Sequence, residues 1–272
     1  MKNCRSPLRL LALAALCAGA ASGQERYVAG PVRDGGKVTG IVTLAGVDRS
    51  PKPEPVTKDA DWCGRIKPSA RLALGPKGGV KNAVVYIERI AAGKGFPAGE
   101  VALLLQRKCE YVPHVLLMTP TMHLEIVNDD PVLHNVHAYH AGPSATSVFN
   151  IAQPVKGQRT RIALEQLSGA RDVFTTCDAG HPWMSAYIIK ARHPYYAVTD
   201  QHGRFVLDDV PPGTYALKMW HEGVEVRLTR AGSGTPPVVE EPFEVTRQVE
   251  VSAGRTSVVD FSFALRASPG SP

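Results

Sequence analysis

The chain has 272 residues, of which 44% are hydrophobic and 21% charged, and it contains 25 glycines and 22 prolines. This length allows one large domain or two small ones, and the glycine and proline content is typical of many short strands joined by turns. The formal net charge is +6, but charges of both signs are interspersed. The pattern excludes a basic nucleic-acid-binding stripe.

The first 23 residues have the pattern of a secretory signal peptide. Lys2, Arg5 and Arg9 form a positive region, a short apolar stretch follows, and small residues lead to a cleavage site near Gly23 and Gln24. Cleavage there removes three basic residues and no acidic one, so the formal net charge falls from +6 to +3. The apolar stretch is too short to span a membrane, and no other segment is long enough. The sequence therefore predicts a periplasmic or secreted protein without a transmembrane segment.

Three cysteines remain after this cleavage: Cys63, Cys109 and Cys177. An odd number of cysteines in an exported protein requires an explanation. We predict a Cys63–Cys109 disulfide, formed in an oxidising compartment, with Cys177 kept free because it binds a metal. The alternative is that Cys63 or Cys109 is a buried free thiol.

Alternating or continuous apolar runs bounded by turn residues predict an all-β fold. In chain order the predicted strands are residues 37–44, 80–87, 115–118, 124–127, 162–167, 171–176, 187–189, 196–199, 204–207, 214–220, 245–251 and 256–265. Residues 49–80 are rich in proline, lysine and glycine, which predicts a long loop pinned by the disulfide.

Cys177, His181 and Met184 form a C-x3-H-x2-M motif that offers a thiolate, an imidazole and a thioether. Such soft donors suit copper better than magnesium or calcium, and a blue-copper site requires a second histidine. His134 follows the turn-forming run 128–131 and supplies that histidine. The sequence therefore predicts one copper ion bound by His134, Cys177, His181 and Met184.

His137 and His114 are alternative ligands. His137 lies three residues after His134, so in a regular strand the two side chains point to opposite faces. This spacing argues against both histidines binding one ion, unless the strand bends. Both alternatives stay open at this point.

Residues 97–192 resemble the cupredoxins of the amicyanin and plastocyanin type. The resemblance is carried, in the order that this family has, by Tyr111-Val112-Pro113, Asn128, His134-Asn135-Val136-His137, Cys177, His181 and Met184. The spacing from Cys177 to His181 is that of the dinuclear copper centres known as CuA. Val173 stands where those centres have their first cysteine, so the resemblance implies a single copper ion.

The same resemblance implies roles for residues around the metal. Asn135 would tie the His134 loop to the Cys177 loop and so support the ligands from outside. Pro182 and Trp183 would surround the ring edge of His181, through which electrons pass in cupredoxins. They would then form a docking patch for a redox partner; the alternative is that Trp183 packs into the sandwich.

The flanking segments resemble a second family, the carboxypeptidase regulatory-like β-sandwich of the transthyretin type. The matching residues are Val38 to Val42, Thr199-Asp200 with Gly203, Val210-Pro211-Pro212-Gly213 with Tyr215, and Val258 to Leu265. More than a hundred residues stand where that family has a short connection. The resemblance therefore implies a discontinuous sandwich, residues 37–96 plus 193–268, with a Greek-key cupredoxin domain, residues 97–192, inserted into it.

Four protein ligands leave no strong open position for a substrate, unlike a catalytic metal site. We therefore expect an electron carrier with an unknown redox partner, not an enzyme. Two alternatives remain open: a periplasmic protein that binds or delivers copper, and a metal-free extracellular binding sandwich.

Overall fold

The computed structural model describes residues 26–46, 53–99, 101–141, 145–167, 172–224, 226–227 and 238–266. The predicted signal peptide, residues 1–23, lies outside these ranges. Within them, no helix has the length and apolar character that crossing a membrane requires.

The regular secondary structure of the described residues is almost entirely β-strand, so the predicted all-β fold is confirmed. The strands are β1 (Val28–Ala29), β2 (Gly36–Leu44), β3 (Glu54–Pro55), β4 (Ile66–Lys67), β5 (Ala73–Leu74), β6 (Val80–Lys81), β7 (Val84–Ile87), β8 (Ala92–Gly93), β9 (Val101–Gln106), β10 (Tyr111–Val112), β11 (Val115–Met118), β12 (His123–Asn128), β13 (His134–His140), β14 (Ser147–Gln153), β15 (Arg159–Ile162), β16 (Asp172–Thr176), β17 (Ser185–Lys190), β18 (Tyr196–Val198), β19 (Arg204–Val210), β20 (Gly213–His221), β21 (Val226–Arg227), β22 (Val238–Val239), β23 (Phe243–Val251), β24 (Thr256–Val258) and β25 (Phe261–Phe263). The helical elements are α1 (Ala60–Cys63) and two 3₁₀ turns, Pro76–Gly78 and Leu164–Leu167.

The predicted strand at residues 162–167 is wrong. β15 ends at Ile162, and a 3₁₀ turn occupies Leu164–Leu167. Gln166 closes this turn: its backbone N–H donates to the carbonyl of Ala163, and its side-chain oxygen accepts from the N–H of Ala163. A polar side chain thus satisfies the backbone locally, which is how turns compete with strands.

Two sheets enclose the first core. One has the strand order β10-β9-β12-β15, and the other has the order β11-β17-β16-β13-β14. The pairs β9–β12 and β11–β17 are parallel, and the remaining pairs are antiparallel. Inward side chains of both sheets, such as Leu104, Ile126, Val136 and Ile188, form one buried cluster. The first core therefore lies between these two sheets.

The register of the second sheet brings distant parts of the sequence to one end of it. β13 begins at His134, and its partner β16 ends at Thr176, paired with His137. Because the two strands are antiparallel, the start of β13 lies beside the loop that follows β16. The loop that contains Cys177 and His181 is thereby placed next to His134.

Strands from the two ends of the chain pair with each other around a second core. β7 lies between β18 and β20 in the order β18-β7-β20-β23, and β2 lies between β19 and β24, with β25 also pairing with β2. Buried side chains on both sheets, including Val38, Val85, Leu217 and Phe261, form the second core.

A third, smaller cluster joins the two sandwiches. Trp220 on β20 and Val84 on β7 pack against Phe174, Tyr187 and Ile189 of the five-stranded sheet. The rings of Tyr187 and Trp220 meet edge to face with centroids 5.2 Å apart. The five-stranded sheet is thus covered on both faces, which explains why the first five residues of β17 are all buried.

Candidate metal centre

Three potential ligand atoms meet in the interior at one end of the first sandwich. Nδ1 of His134 lies 3.3 Å from Nδ1 of His181, and Sγ of Cys177 lies 3.6 Å from Nδ1 of His181. All three atoms lie within 4.8 Å of one another. The side chains of both histidines are fully buried, and Cys177 is 1% exposed. The structure therefore brings together three of the four residues predicted as ligands.

The outer nitrogen of each histidine faces a carboxylate. Nε2 of His134 lies 2.9 Å from Asp130, and Nε2 of His181 lies 3.0 Å from Asp59. A carboxylate only accepts hydrogen bonds, so Nε2 of each ring is the proton donor in these contacts. The lone pairs of the two Nδ1 atoms then face each other and the sulfur. This arrangement fixes the tautomers that a shared metal ion requires.

Asp130 is held as an acceptor from several sides. Backbone N–H groups of Lys108 and Cys109 donate to its two oxygens, each at 2.7 Å. Burial opposes ionisation, but hydrogen bonds from His134, Cys109, Trp62 and Lys108 outweigh it and lower the pKa of Asp130 to about 2. Asp130 is therefore ionised at neutral pH.

Backbone N–H groups surround the sulfur of Cys177. Burial raises the pKa of this thiol, while hydrogen bonds from the N–H groups of Asn135, Ala179 and His181 favour the thiolate. The side-chain oxygen of Asn135 also accepts from the N–H of Ala179, at 2.8 Å. Asn135 thus contacts the loop after β16 through both backbone and side chain. A buried thiolate needs a nearby cation to compensate the loss of water.

His181 has little tendency to take up a proton. Burial and the neighbouring His134 lower the pKa of His181 to about 4, although Asp59 acts in the opposite direction. Its Nδ1 lone pair is consequently free of a proton at neutral pH.

Met184 and Trp183 are both buried next to these residues. Met184 is 1% exposed and belongs to the same apolar cluster as Cys177, and its N–H donates to the carbonyl of His181 at 3.0 Å. Trp183 is 5% exposed, and its indole N–H donates to the carbonyl of Cys109 at 2.9 Å. The expectation that Trp183 forms an exposed docking patch is wrong, because its ring packs into the sandwich; Pro182 is exposed.

The two alternative ligands lie elsewhere. His137 is half-buried on the opposite face of β13, where it contacts Asp178 and Ser147. His114 faces Glu222 and the carbonyl of Ser185 at the junction of the two sandwiches. Burial opposes the charged form of His114, but Glu222 outweighs it and raises the pKa. Neither histidine joins the ligand cluster.

Cys63 and Cys109 form the predicted disulfide, and Cys177 is the free cysteine among the described residues. The disulfide attaches α1 to the first sandwich beside the histidines, since its sulfurs lie within 4.8 Å of a ligand atom of His181. Sequence reasoning missed the contact of Asp59 with His181, which joins residues 122 positions apart. No local motif signals such a contact.

The donor set and its geometry fit a tetrahedral metal ion. In sites with nitrogen ligands at about 2.0 Å and a thiolate at about 2.3 Å, tetrahedral angles place two nitrogens about 3.3 Å apart and nitrogen and sulfur about 3.6 Å apart. Nδ1 of His181 has these separations from Nδ1 of His134 and from Sγ of Cys177, and the third pair of ligand atoms lies within 4.8 Å. Met184 is buried in the same apolar cluster as Cys177, and its thioether would add a soft donor of the kind that suits copper.

Several solved structures are similar to parts of the chain. They include a purple cupredoxin from Nitrosopumilus maritimus (18% identity, TM-score 0.28, 33% of this chain and 99% of that one) and the Cu(I) form of an M98A mutant of amicyanin (18% identity, TM-score 0.28, 35% and 86%). A copper-containing nitrite reductase from Thermus scotoductus SA-01 is similar at 19% identity and a TM-score of 0.26 over 39% of this chain. The match spans 25% of the reductase.

No curated protein matches the chain. One family model does: polysaccharide lyase family 4, domain II, an fn3-type domain, over residues 181–259. This range is less than half of the chain and falls mainly on the second sandwich. The carboxypeptidase regulatory-like resemblance of the flanking segments remains a prediction from sequence, while the C-terminal part of the chain is similar to this lyase domain.

Proposed function

We propose that this protein is an exported mononuclear copper protein of cupredoxin type that transfers single electrons. His134, Cys177, His181 and Met184 would hold the ion. The proposal rests above all on one observation: a nitrogen from each of two buried imidazoles and the sulfur of a buried thiol lie within 4.8 Å of one another, with the outer nitrogen of each ring engaged by a carboxylate.

Electron transfer suits this geometry better than catalysis. Copper in such a site supplies a one-electron couple whose potential depends on the ligands and their surroundings. The chain's own residues keep the ligands fixed: Asp130 and Asp59 orient the two rings, and Asn135 ties β13 to the cysteine loop. Fixed ligands change little between oxidation states, which favours rapid exchange.

The proposed domain division has residues 97–192 as the copper domain and residues 37–96 plus 193–268 as the sandwich that carries it. Strand pairing supports this division, since β2 and β7 pair only with strands that follow residue 193 among the sheets described above. Export is proposed from the N-terminal pattern and is supported by the Cys63–Cys109 disulfide, because disulfides persist in oxidising compartments.

Stopped-flow spectroscopy tests electron transfer directly. The copper-loaded protein is reduced with ascorbate and reoxidised with ferricyanide, while a chelator in the same solution reports any released copper. We expect reduction and reoxidation over repeated cycles with the ion retained. Release of the ion in the first reduction would contradict the electron-carrier proposal.

Copper binding or delivery is the second candidate, and the burial of His181 favours it. Its side chain is fully buried beneath Asp59, so the ring edge that would exchange electrons with a partner is covered. Slow reoxidation together with transfer of Cu(I) to bathocuproine would support delivery. Failure to bind copper at all would leave the metal-free binding sandwich.

A further inference from the structure

A short segment from outside the first sandwich covers the two histidines. We call residues 58–63 the cap; it contains α1 and lies between β3 and β4, which pair with each other at its base. Its last residue, Cys63, is joined by the disulfide to Cys109, which follows β9. The cap is therefore held at both ends.

Asp59 contacts the outer nitrogen of the His181 ring. The ring is fully buried, whereas the side chain of Asp59 is 30% exposed, and Oδ2 of Asp59 lies 3.0 Å from Nε2 of His181. Asp59 is thus a partly exposed group that lies over the outer nitrogen of this buried imidazole. It reaches the ring in a left-handed backbone conformation (φ 52°), which an aspartate tolerates better than most residues.

The cap also contacts the surroundings of the other histidine. Trp62 helps to keep the pKa of Asp130 low, and the carboxylate of Asp130 in turn accepts from Nε2 of His134. One six-residue segment therefore makes polar contacts that lead to both imidazoles.

A third contact joins the cap to the cysteine loop. Nζ of Lys58 donates to the carbonyl of Ala179 at 2.7 Å, and its aliphatic stem lies over Gly180. A Cβ on Gly180 would come within 2.6 Å of the Lys58 side chain, and the φ of Gly180 is +102°. Glycine at this position thus allows both the turn and the close approach of the cap.

We propose that Asp59 is a positioning residue for His181 and that the cap keeps the ligand pocket closed. Asp59 holds the ring with Nδ1 towards the pocket, and the disulfide keeps Asp59 in place. Reagents then reach Cys177 only when the cap opens. The part of this proposal that concerns a bound ion rests on the proposed copper function; the part that concerns closure does not.

A copper-free experiment tests closure. The rate of Cys177 alkylation by iodoacetamide is measured by peptide mass spectrometry in the wild type, in Asp59→Ala and in the control Asp61→Ala, whose side chain is exposed on the same helix. Loss of a hydrogen bond to a charged group should accelerate labelling about tenfold in Asp59→Ala, with the control unchanged. Circular dichroism checks that both proteins are folded. Equal alkylation rates in the folded wild type and folded Asp59→Ala would overturn the proposal that the cap closes the pocket.

A copper-loaded experiment tests positioning. Asp59→Asn keeps an oxygen that can accept from Nε2, whereas Asp59→Ala does not. We expect Asp59→Ala to lower copper affinity about tenfold to hundredfold and to change the Cu(II) paramagnetic resonance spectrum, while Asp59→Asn stays near the wild type. Wild-type affinity and spectrum in Asp59→Ala would overturn the positioning role. Absence of copper binding by the wild type would refute the proposed function, and the alkylation rates would still decide closure.

Discussion

His193 is a histidine buried at the junction between the first and second sandwiches. It is 5% exposed and packs among the rings of Tyr27, Tyr195 and Tyr196. Burial, assisted by the positive charge of Arg192, lowers the pKa of His193 to about 4. The folded protein therefore keeps this ring neutral under conditions in which an unfolded histidine, with a pKa of about 6.5, is already charged.

This pKa difference predicts a loss of stability in acid. As the pH falls from about 6.5 to about 4, the unfolded state takes up the proton first. The free energy of unfolding therefore falls by up to about 3 kcal/mol because of His193. Below about pH 4 the folded state also binds the proton, and the loss levels off. Urea denaturation of the copper-free protein at pH 7.5 and pH 4.5 measures it.

His193→Phe provides the comparison. Between pH 7.5 and pH 4.5, the free energy of unfolding should fall by about 2 to 3 kcal/mol less in the variant than in the wild type. Burial also lowers the pKa of His221. Other buried histidines of this kind contribute equally to the pH dependence of both proteins. An identical pH dependence in the two proteins would contradict the assignment.

His134 and His181, the two proposed ligand histidines, show how far the sequence predicts the site. Asp130 lies four residues before His134 in the Asn-Asp-Asp-Pro turn, so its contact with the ring is local and visible in the sequence. Asp59 reaches His181 across 122 positions. The types and spacing of the candidate residues predicted that His134, Cys177 and His181 lie together, but only the folded chain reveals what covers them.

At the scale of elements, the disulfide is the feature that the cap depends on. It joins residues 46 positions apart, and closing a loop of that length is worth about 4 kcal/mol in the chain-entropy model. We expect the Cys63→Ser/Cys109→Ser double variant to lose about this amount of unfolding free energy. Urea denaturation with and without a reductant measures it.

The reductant also supplies the control. Adding it should destabilise the wild type by a similar amount and leave the double variant unchanged. A double variant as stable as the oxidised wild type would show that the disulfide does not constrain the chain.

The hydrophobic pattern predicted several strands but missed β9, although β9 is a nearly continuous apolar run. The prediction at 37–44 corresponds to β2, and that at 115–118 coincides with β11. β14 was not predicted, because its burial does not follow a regular alternation. α1 was not predicted either, since it has only four residues and is held by the disulfide more than by its own sequence.

At the scale of the whole molecule, Trp220 joins the two sandwiches. Its ring is 6% exposed and contacts Tyr187 across the junction. Replacing a buried tryptophan by alanine typically costs about 3 to 5 kcal/mol. We expect Trp220→Ala to lower the free energy of unfolding by this amount. The two sandwiches of the variant should then unfold in two separate calorimetric transitions.

Val206→Ala is the matched control, because Val206 lies on β19 of the same sandwich with 46% of its surface exposed. It should change the unfolding free energy by less than about 0.5 kcal/mol. A single transition at the wild-type temperature in Trp220→Ala would contradict the role of this contact.

The most direct test of the central claim is anaerobic addition of Cu(II) to the copper-free protein, followed by visible absorption spectroscopy. The account predicts an intense thiolate-to-copper band that saturates at one ion per chain. The band should be absent in Cys177→Ser and retained, with weaker copper binding, in Cys63→Ser/Cys109→Ser, which leaves no second free thiol beside the histidines. A band that persists in Cys177→Ser, or no band in the folded wild type, would contradict a copper site built on Cys177.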